Sequence, residues 1–159
     1  MKAKDFMKQL QMLNKMIENK MEEKKQLQAM ACSITAQMSG ERVQTSGSKD
    51  KLGNAVTSYV DIEAEIDHFI DKLYDSRKKV ISIIEKLDNP IEYDLLHKMY
   101  VGKIELKGSD TENDAIFEIH YMDLYEVAAL YNKSYTWATT THGRALKNVQ
   151  QLLDEREEE

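Results

Sequence analysis

A stretch near the C-terminus places hydroxyl and basic side chains at helical spacing, a combination suited to binding phosphates and base edges. At 3.6 residues per turn, Thr136, Thr140 and Arg144 fall on one side of a helix. Threonine hydroxyls hydrogen-bond base edges or phosphates, and their methyl groups contact thymine methyls. Arg144, Lys147 and Lys133 are the predicted phosphate ligands. The residues predicted to contact DNA are Lys133, Ser134, Tyr135, Thr136, Thr139, Thr140, Gly143, Arg144 and Lys147.

The other side of this helix is expected to pack inward. Gly143 costs about 1 kcal/mol of helix stability relative to alanine, so close approach of DNA or of another helix would account for it. Trp137 is predicted to pack under a turn rather than to stack on bases. The predicted inward residues are Ala138, Ala145, Val149 and Leu152, with Thr141 or His142 between them.

The residue types that support catalysis lie apart from one another in the sequence. None of the four histidines has a second histidine or cysteine at metal-ligand spacing. The glycines at 102, 108 and 143 are isolated and form no phosphate-binding loop. Cys32 is the single cysteine, sits among small and apolar residues, and is predicted to be a buried structural thiol. The sequence therefore predicts no enzyme activity, no metal and no cofactor.

Two local signals predict the elements that hold the polar side in place. Asp123 followed by Glu126 is a capping-box pattern that starts a short helix over 124–131. Asn132 stands where the chain must turn, and asparagine tolerates the left-handed conformation. Ser134 is a favourable cap for a final helix that runs to about 154. A short helix, a tight turn and a longer helix together predict a helix-turn-helix.

These residues resemble region four of bacterial sigma factors. In that region a Glu-Ile-Ala triplet precedes a turn and a serine-started recognition helix; here the triplet is Glu126-Val127-Ala128, with Asn132 in place of the usual glycine and Ser134 at the serine. The Arg-Ala-Leu sequence at 144–146 and the following Val149 match its second half. Residues 101–121 separate Tyr100 from this unit, where sigma region four has a short turn.

More specifically, residues 88–153 are similar to small phage and prophage regulators of late transcription, the ArpU- or RinA-like family. The matching residues are Asn89-Pro90, the helix from Leu95 to Tyr100, Ser134-Tyr135 and residues 142–146. The resemblance implies a DNA-binding transcription regulator that reads the major groove. Contact with RNA polymerase is a further expectation from the same resemblance.

The N-terminal segment, 3–38, reads as one long helix with a coiled-coil seam. Positions alternately three and four apart are apolar except Lys20 and Lys24. The seam either forms a homodimer, with the lysines setting register, or packs on the next helix of the same chain. The seam residues are Ala3, Phe6, Leu10, Leu13, Ile17, Lys20, Lys24, Leu27, Ala31, Ile34 and Met38.

The segment 39–54 is rich in glycine, serine and threonine and is predicted to be a linker. It precedes a second helix over 55–88, whose seam begins at Val56 and Tyr59, so an antiparallel helical hairpin is expected.

Asn89-Pro90 starts a third helix, to about 101, with Glu92 placed to complete a capping box. Period-two alternation at 104–106 and 116–119 predicts a small β-hairpin within 103–120.

The sequence thus predicts an all-α fold with this added hairpin: an oligomerisation region over 1–88 and a DNA-binding domain over 89–159. Net charge is −6, so DNA binding by a monomer is expected to be weak and salt-sensitive. A lone cysteine, no apolar run long enough for a membrane span and no apolar signal core favour the bacterial cytoplasm.

The predicted function is a phage or prophage transcription regulator whose partner is double-stranded DNA, acting as a homo-oligomer with a dimer favoured. A DNA-packaging factor of the small-terminase kind and a coiled-coil interaction module are the alternatives. Solution mass separates them: a dimer favours the regulator and a ring of many subunits favours the packaging factor.

Overall fold

The structure is a computed structural model that describes residues 1–38, 47–107 and 116–157. It confirms a mostly helical chain with one small antiparallel sheet. The C-terminal helix is 23 residues long. The elements are α1 (Ala3–Met38), α2 (Gly47–Ile84), α3 (Pro90–Leu96) continuing into a π-helical turn (His97–Val101), β1 (Lys103–Lys107), β2 (Ile116–His120), α4 (Leu124–Leu130) and α5 (Tyr135–Glu157).

The elements group into two compact units, each described by itself. The hairpin unit is Leu13–Leu73. The C-terminal unit is Met1–Met12 together with Tyr74–Glu159. The predicted division at residue 88 falls inside the C-terminal unit, and the first residues of α1 belong to that unit as well.

In the hairpin unit, α1 and α2 pack antiparallel. Lys20 Nζ lies 2.6 Å from a Glu65 carboxylate oxygen, and Lys24 Nζ lies 2.9 Å from one of Glu63. Residue numbers rise along α1 as they fall along α2, which is the antiparallel order. The two lysines of the seam therefore pair with α2 of the same chain. Dimerisation through these helices stays a prediction.

Three predictions about the long helices are wrong. Residues 47–54 of the predicted linker are helical, because an isolated glycine costs only about 1 kcal/mol and does not stop a helix; residues 39–46 lie outside the described residues. Val56 is 52% exposed, since α2 instead buries Ala55 and Ile62. Cys32 is exposed, because it lies beside the seam position Ala31 and not on it.

The C-terminal unit has a core built from both ends of the chain. The backbone N–H of Ala3 donates to Gln150 Oε1 at 2.6 Å, and Gln11 Nε2 donates to the Met99 carbonyl at 2.9 Å. These bonds attach the start of α1 to α5 and to the end of α3. Its buried apolar residues include Phe6, Met7, Leu10, Val80, Ile83, Ile84, Leu95, Leu96, Val101, Val127, Ala138, Ala145 and Val149.

Helix starts follow the local signals, with one exception. Asn89 caps α3 by accepting from the Ile91 N–H at 3.0 Å, and Asp123 with Glu126 forms the predicted capping box at α4. The predicted box at α3 is wrong: Glu92 is 2% exposed and its carboxylate accepts from α5 instead of from the Asn89 backbone. Both carboxylate oxygens of Glu92 bond to α5, and Asn89 reaches Glu92 Oε1 only through its side-chain amide, at 3.5 Å.

The predicted β-hairpin is present, with Ile104 opposite Ile119 and Leu106 opposite Phe117. Its entry depends on Gly102, which has φ 68° and ψ 176°. Arg77 donates to the carbonyls of Val101 (2.7 Å) and Gly102 (3.2 Å). Burial lowers the pKa of Arg77 from its ordinary value.

Candidate nucleic-acid interface

The turn between α4 and α5 has the predicted local structure. Asn132 has φ 52°, the left-handed conformation. Its N–H donates to the Ala129 carbonyl at 3.1 Å, and the Lys133 N–H donates to the Ala128 carbonyl at 2.9 Å. This pair of bonds is the Schellman pattern, which ends a helix and redirects the chain. Ser134 then accepts from the Trp137 N–H at 3.1 Å and caps α5, as predicted.

Helix α5 buries the side that the sequence predicts, with Leu153 more completely buried than Leu152. The polar side faces solvent. Of the nine residues predicted to contact DNA, eight are exposed and Thr139 is half-buried; the eight are Lys133, Ser134, Tyr135, Thr136, Thr140, Gly143, Arg144 and Lys147.

Two of the nine use their hydroxyls within the chain. Ser134 Oγ caps the helix, and Thr139 Oγ1 donates to the Thr136 carbonyl at 2.9 Å. Thr136 and Thr140 are both exposed and follow each other by one helical turn. They are therefore the threonines best placed to meet a ligand on this side.

Arg144 joins the exposed side of α5 to a buried carboxylate. Its Nε lies 2.6 Å from Glu92 Oε1, and Asn148 Nδ2 donates to Glu92 Oε2 at 2.7 Å. The Arg144 side chain nevertheless keeps 56% of its surface exposed. Glu92 holds one edge of the guanidinium, so the orientation of Arg144 is fixed by α3.

Sequence reasoning missed the role of Glu92, although a signal was present. Glu92, Leu95 and Leu96 follow the three-and-four spacing of one helix face, and all three are buried. A buried carboxylate needs hydrogen-bond donors, which predicts a basic or amide partner. The sequence does not say that this partner is on α5.

Aromatic contacts fix the helices around α5. Tyr100 and His142 rings stack with centroids 5.9 Å apart, and Tyr100 Oη lies 2.9 Å from His142 Nε2. Burial raises the pKa of Tyr100. Burial, with a smaller contribution from the charge of Lys4, lowers the pKa of His142. Burial therefore favours the neutral form of His142, which packs against Tyr100.

The end of α4 is tied to α3 in the same way. Tyr131 donates to Asp94, which also pairs with Lys98. Burial and this hydrogen bond raise the pKa of Tyr131 to about 12. The Tyr131 ring is tilted against Trp137 at 5.4 Å, so Trp137 packs at the turn as predicted.

Two exposed tyrosines stand beside the turn and extend the exposed side. Tyr125 of α4 is 67% exposed, Tyr135 of α5 is 43% exposed, and their rings stack at 4.2 Å with 19° between planes. Stacking restricts both rings while leaving surface for a ligand. Tyr135 is among the residues predicted to contact DNA, whereas Tyr125 is not.

Gly143 has open space where a side chain would be. A Cβ built at this position meets no heavy atom within 4 Å. Packing within the described part of the chain therefore does not require a glycine here.

The described residues contain no metal-binding cluster. Within 1–38, 47–107 and 116–157, no group of three His, Cys, Asp or Glu side chains is arranged to hold a metal ion. The same ranges contain no helix that is long and apolar enough to span a membrane. Comparison with protein-family models, curated proteins and solved structures finds no match to this chain.

Proposed function

We propose that this chain is a DNA-binding transcription regulator that inserts the exposed side of α5 into the major groove. The observation that carries the proposal is the charge of that side. Residues 133–147 contain Lys133, Arg144 and Lys147 and no acidic residue. The whole chain has 22 basic and 28 acidic residues, so the remainder has 19 and 28, a net charge of −9. Phosphates would therefore meet a segment of net positive charge here.

The geometry of α4, the turn and α5 supports the same function. In a helix-turn-helix the second helix lies in the major groove, and residues near its N-terminal end contact base edges. Thr136 and Thr140 occupy that end of α5 and are exposed. Sigma region four, which residues 122–153 resemble, uses this arrangement, and the resemblance extends the proposal to contact with RNA polymerase.

We propose further that two copies act together. Lys133 in the turn and Arg144 and Lys147 on α5 supply few phosphate contacts. Linking two such units raises affinity through effective concentration. The hairpin unit exposes Met16, Met30, Val56 and Val60, and these apolar side chains are available to a second copy. Solution mass tests this point: a dimer is expected. A ring of many subunits would favour a DNA-packaging factor.

The decisive experiment begins with selection of bound fragments from the source genome. Affinity of the selected fragments is then measured across a salt series for the parent, Lys147→Gln and Thr140→Val. Lys147→Gln is expected to weaken binding to every sequence and to lower the salt slope by about 1. Thr140→Val is expected to change the ranking of sequences with little change in slope. Lys147 is the better phosphate probe, since Arg144→Ala would also remove a donor from buried Glu92.

Two matched controls lie in the hairpin unit. Lys15→Gln and Thr57→Val make the same chemical changes at exposed positions of α1 and α2. Both are expected to bind DNA like the parent. A parent protein without salt-dependent affinity for any fragment would contradict the proposed function and would favour a protein-interaction module.

A further inference from the structure

The first twelve residues form part of the C-terminal unit and run along α5. The N-terminal amino group of Met1 lies 3.3 Å from a Glu157 carboxylate oxygen, and Ala3 N–H donates to Gln150. Further along, Gln11 bonds to the Met99 carbonyl, next to the Tyr100 that stacks on His142. The start of α1 therefore runs antiparallel to α5.

This segment and α3 flank α5 on opposite sides. On α5, Arg144 and Asn148 meet Glu92 of α3, whereas Gln150 bonds the start of α1. Side chains around a helix axis are spaced by about 100° per residue. The mean direction of the side chains at 144 and 148, which face α3, is therefore about half a turn from that of the side chains at 142 and 150, which face the start of α1. The charge of Lys4 also reaches His142, which agrees with α1 lying on that flank.

Lys4 and Lys8 lie on the α1 flank. They are one helical turn apart and both are exposed, while Ala3 and Met7 beside them are buried. Residues 1–12 carry three lysines and one aspartate, a net side-chain charge of +2. Added to the +3 of residues 133–147, this gives +5 for two segments of a chain whose net charge is −6.

A helix in the major groove has a phosphate backbone on each side, and these belong to the two different strands. Arg144 is held toward one flank of α5 by Glu92. The other flank of α5 is the one bordered by Lys4 and Lys8. A flexible lysine side chain acts as a point charge and suits a phosphate whose position varies.

We infer that Lys4 and Lys8 bind backbone phosphates of the duplex whose groove receives α5, on the strand opposite to the one that Arg144 contacts. The inference rests on the proposed function and enlarges its site. The partner is double-stranded DNA, recognised at these two residues without regard to sequence. A segment that the sequence assigned to the oligomerisation region thereby supplies the basic charge that α5 lacks.

The test compares two double variants of the full chain. Lys4→Gln/Lys8→Gln removes the proposed contacts. Lys15→Gln/Lys86→Gln removes the same charge elsewhere: Lys15 is in the hairpin unit, and Lys86 lines a groove with Leu152 and Arg156 at the far end of α5. Fluorescence anisotropy with a selected duplex and a shuffled duplex across a salt series gives affinity and salt slope for each variant.

The Lys4/Lys8 variant is expected to lose affinity equally for both duplexes and to lower the salt slope by about 2. Its thermal unfolding midpoint should match that of the parent, because both lysines are exposed. Lys4→Arg/Lys8→Arg should retain the slope, and the Lys15/Lys86 variant should keep the parent slope and affinity.

Two results would overturn the inference alone while the proposed function stands. In the first, the parent binds DNA and the Lys4/Lys8 variant shows the same salt slope as the parent. The other is an equal fall in slope for the Lys15/Lys86 variant, which would mean a diffuse charge effect. A parent that binds neither duplex at any salt concentration would instead overturn the proposed function itself.

Discussion

At the scale of single residues, Gly143 stands out because the fold does not explain it. It lies within the 23 residues of α5, where glycine is an unfavourable helix former, and a Cβ there would meet no heavy atom of the described residues within 4 Å. The neighbouring Arg144 has a side chain that the fold does constrain, because its Nε donates a hydrogen bond to Glu92. On the exposed side of α5, a residue without a side chain, Gly143, therefore stands next to Arg144, a cation whose orientation is fixed.

We expect Gly143→Ala to separate stability from binding. The substitution should raise the free energy of unfolding by up to about 1 kcal/mol, because alanine is the better helix former. It should lower DNA affinity, because the added methyl group projects from the side proposed to face the groove. Urea denaturation and anisotropy measure the two effects.

Gly53→Ala is the matched control for that substitution. Gly53 also lies in a long helix with nothing within 4 Å of its Cβ position, but in the hairpin unit. It should gain stability without any change in DNA affinity. A Gly143→Ala protein that is more stable and binds DNA as tightly as the parent would show that this position does not approach DNA.

At the scale of elements, the junction between the π-helical turn and the β-hairpin is tightly constrained. Gly102 has a backbone conformation that is essentially restricted to glycine. A Cβ there would lie 2.6 Å from the His120 carbonyl oxygen and 2.8 Å from Ile119 Cγ2. Arg77 holds the same junction through two carbonyls. Strand pairing and the end of α3 thus depend on one another.

Gly102→Ala should therefore lower the free energy of unfolding by about 1–3 kcal/mol from backbone strain, with the steric clash adding to that cost. Amide hydrogen exchange should show faster exchange in β1 and β2, and urea denaturation should show the loss of stability. Unchanged exchange and an unchanged urea midpoint would mean that the junction adopts another conformation.

At the scale of the whole molecule, the C-terminal unit is built from distant parts of the chain. Met7 and Leu10 from the start of α1 are as completely buried as Val80 and Ile84 from the end of α2. The predicted domain of residues 89–159 lacks all four. The start of α1 and the end of α2 therefore both contribute to the core of the unit that contains the proposed DNA-binding helix.

We expect Met7→Ala to destabilise the C-terminal unit by about 2–5 kcal/mol, the usual cost of truncating a buried methionine. Trp137 is the sole tryptophan and belongs to this unit, so its fluorescence reports the unfolding. Met12→Ala, at a position that is 65% exposed in the same segment, is the control and should leave the transition unchanged. Equal transitions for both variants would contradict a core role for the first twelve residues.

The sequence predicted the structural features that depend only on residues one or two helical turns apart. The capping box of Asp123 and Glu126, the left-handed Asn132, the Ser134 cap and the inner side of α5 are of this kind. Each depends on hydrogen bonds or periodicity within a few residues, and the local chain encodes these almost completely.

The tertiary structure alone decided which segments meet. It drew Glu92 away from its local cap and onto Arg144 and Asn148, attached residues 1–12 to α5, and left Val56 and Cys32 exposed. The physical reason is that helical periodicity fixes which side of a helix is apolar, but not which distant helix covers it. That choice depends on the sum of packing and hydrogen bonds over the whole unit, to which residues far apart in the sequence contribute together.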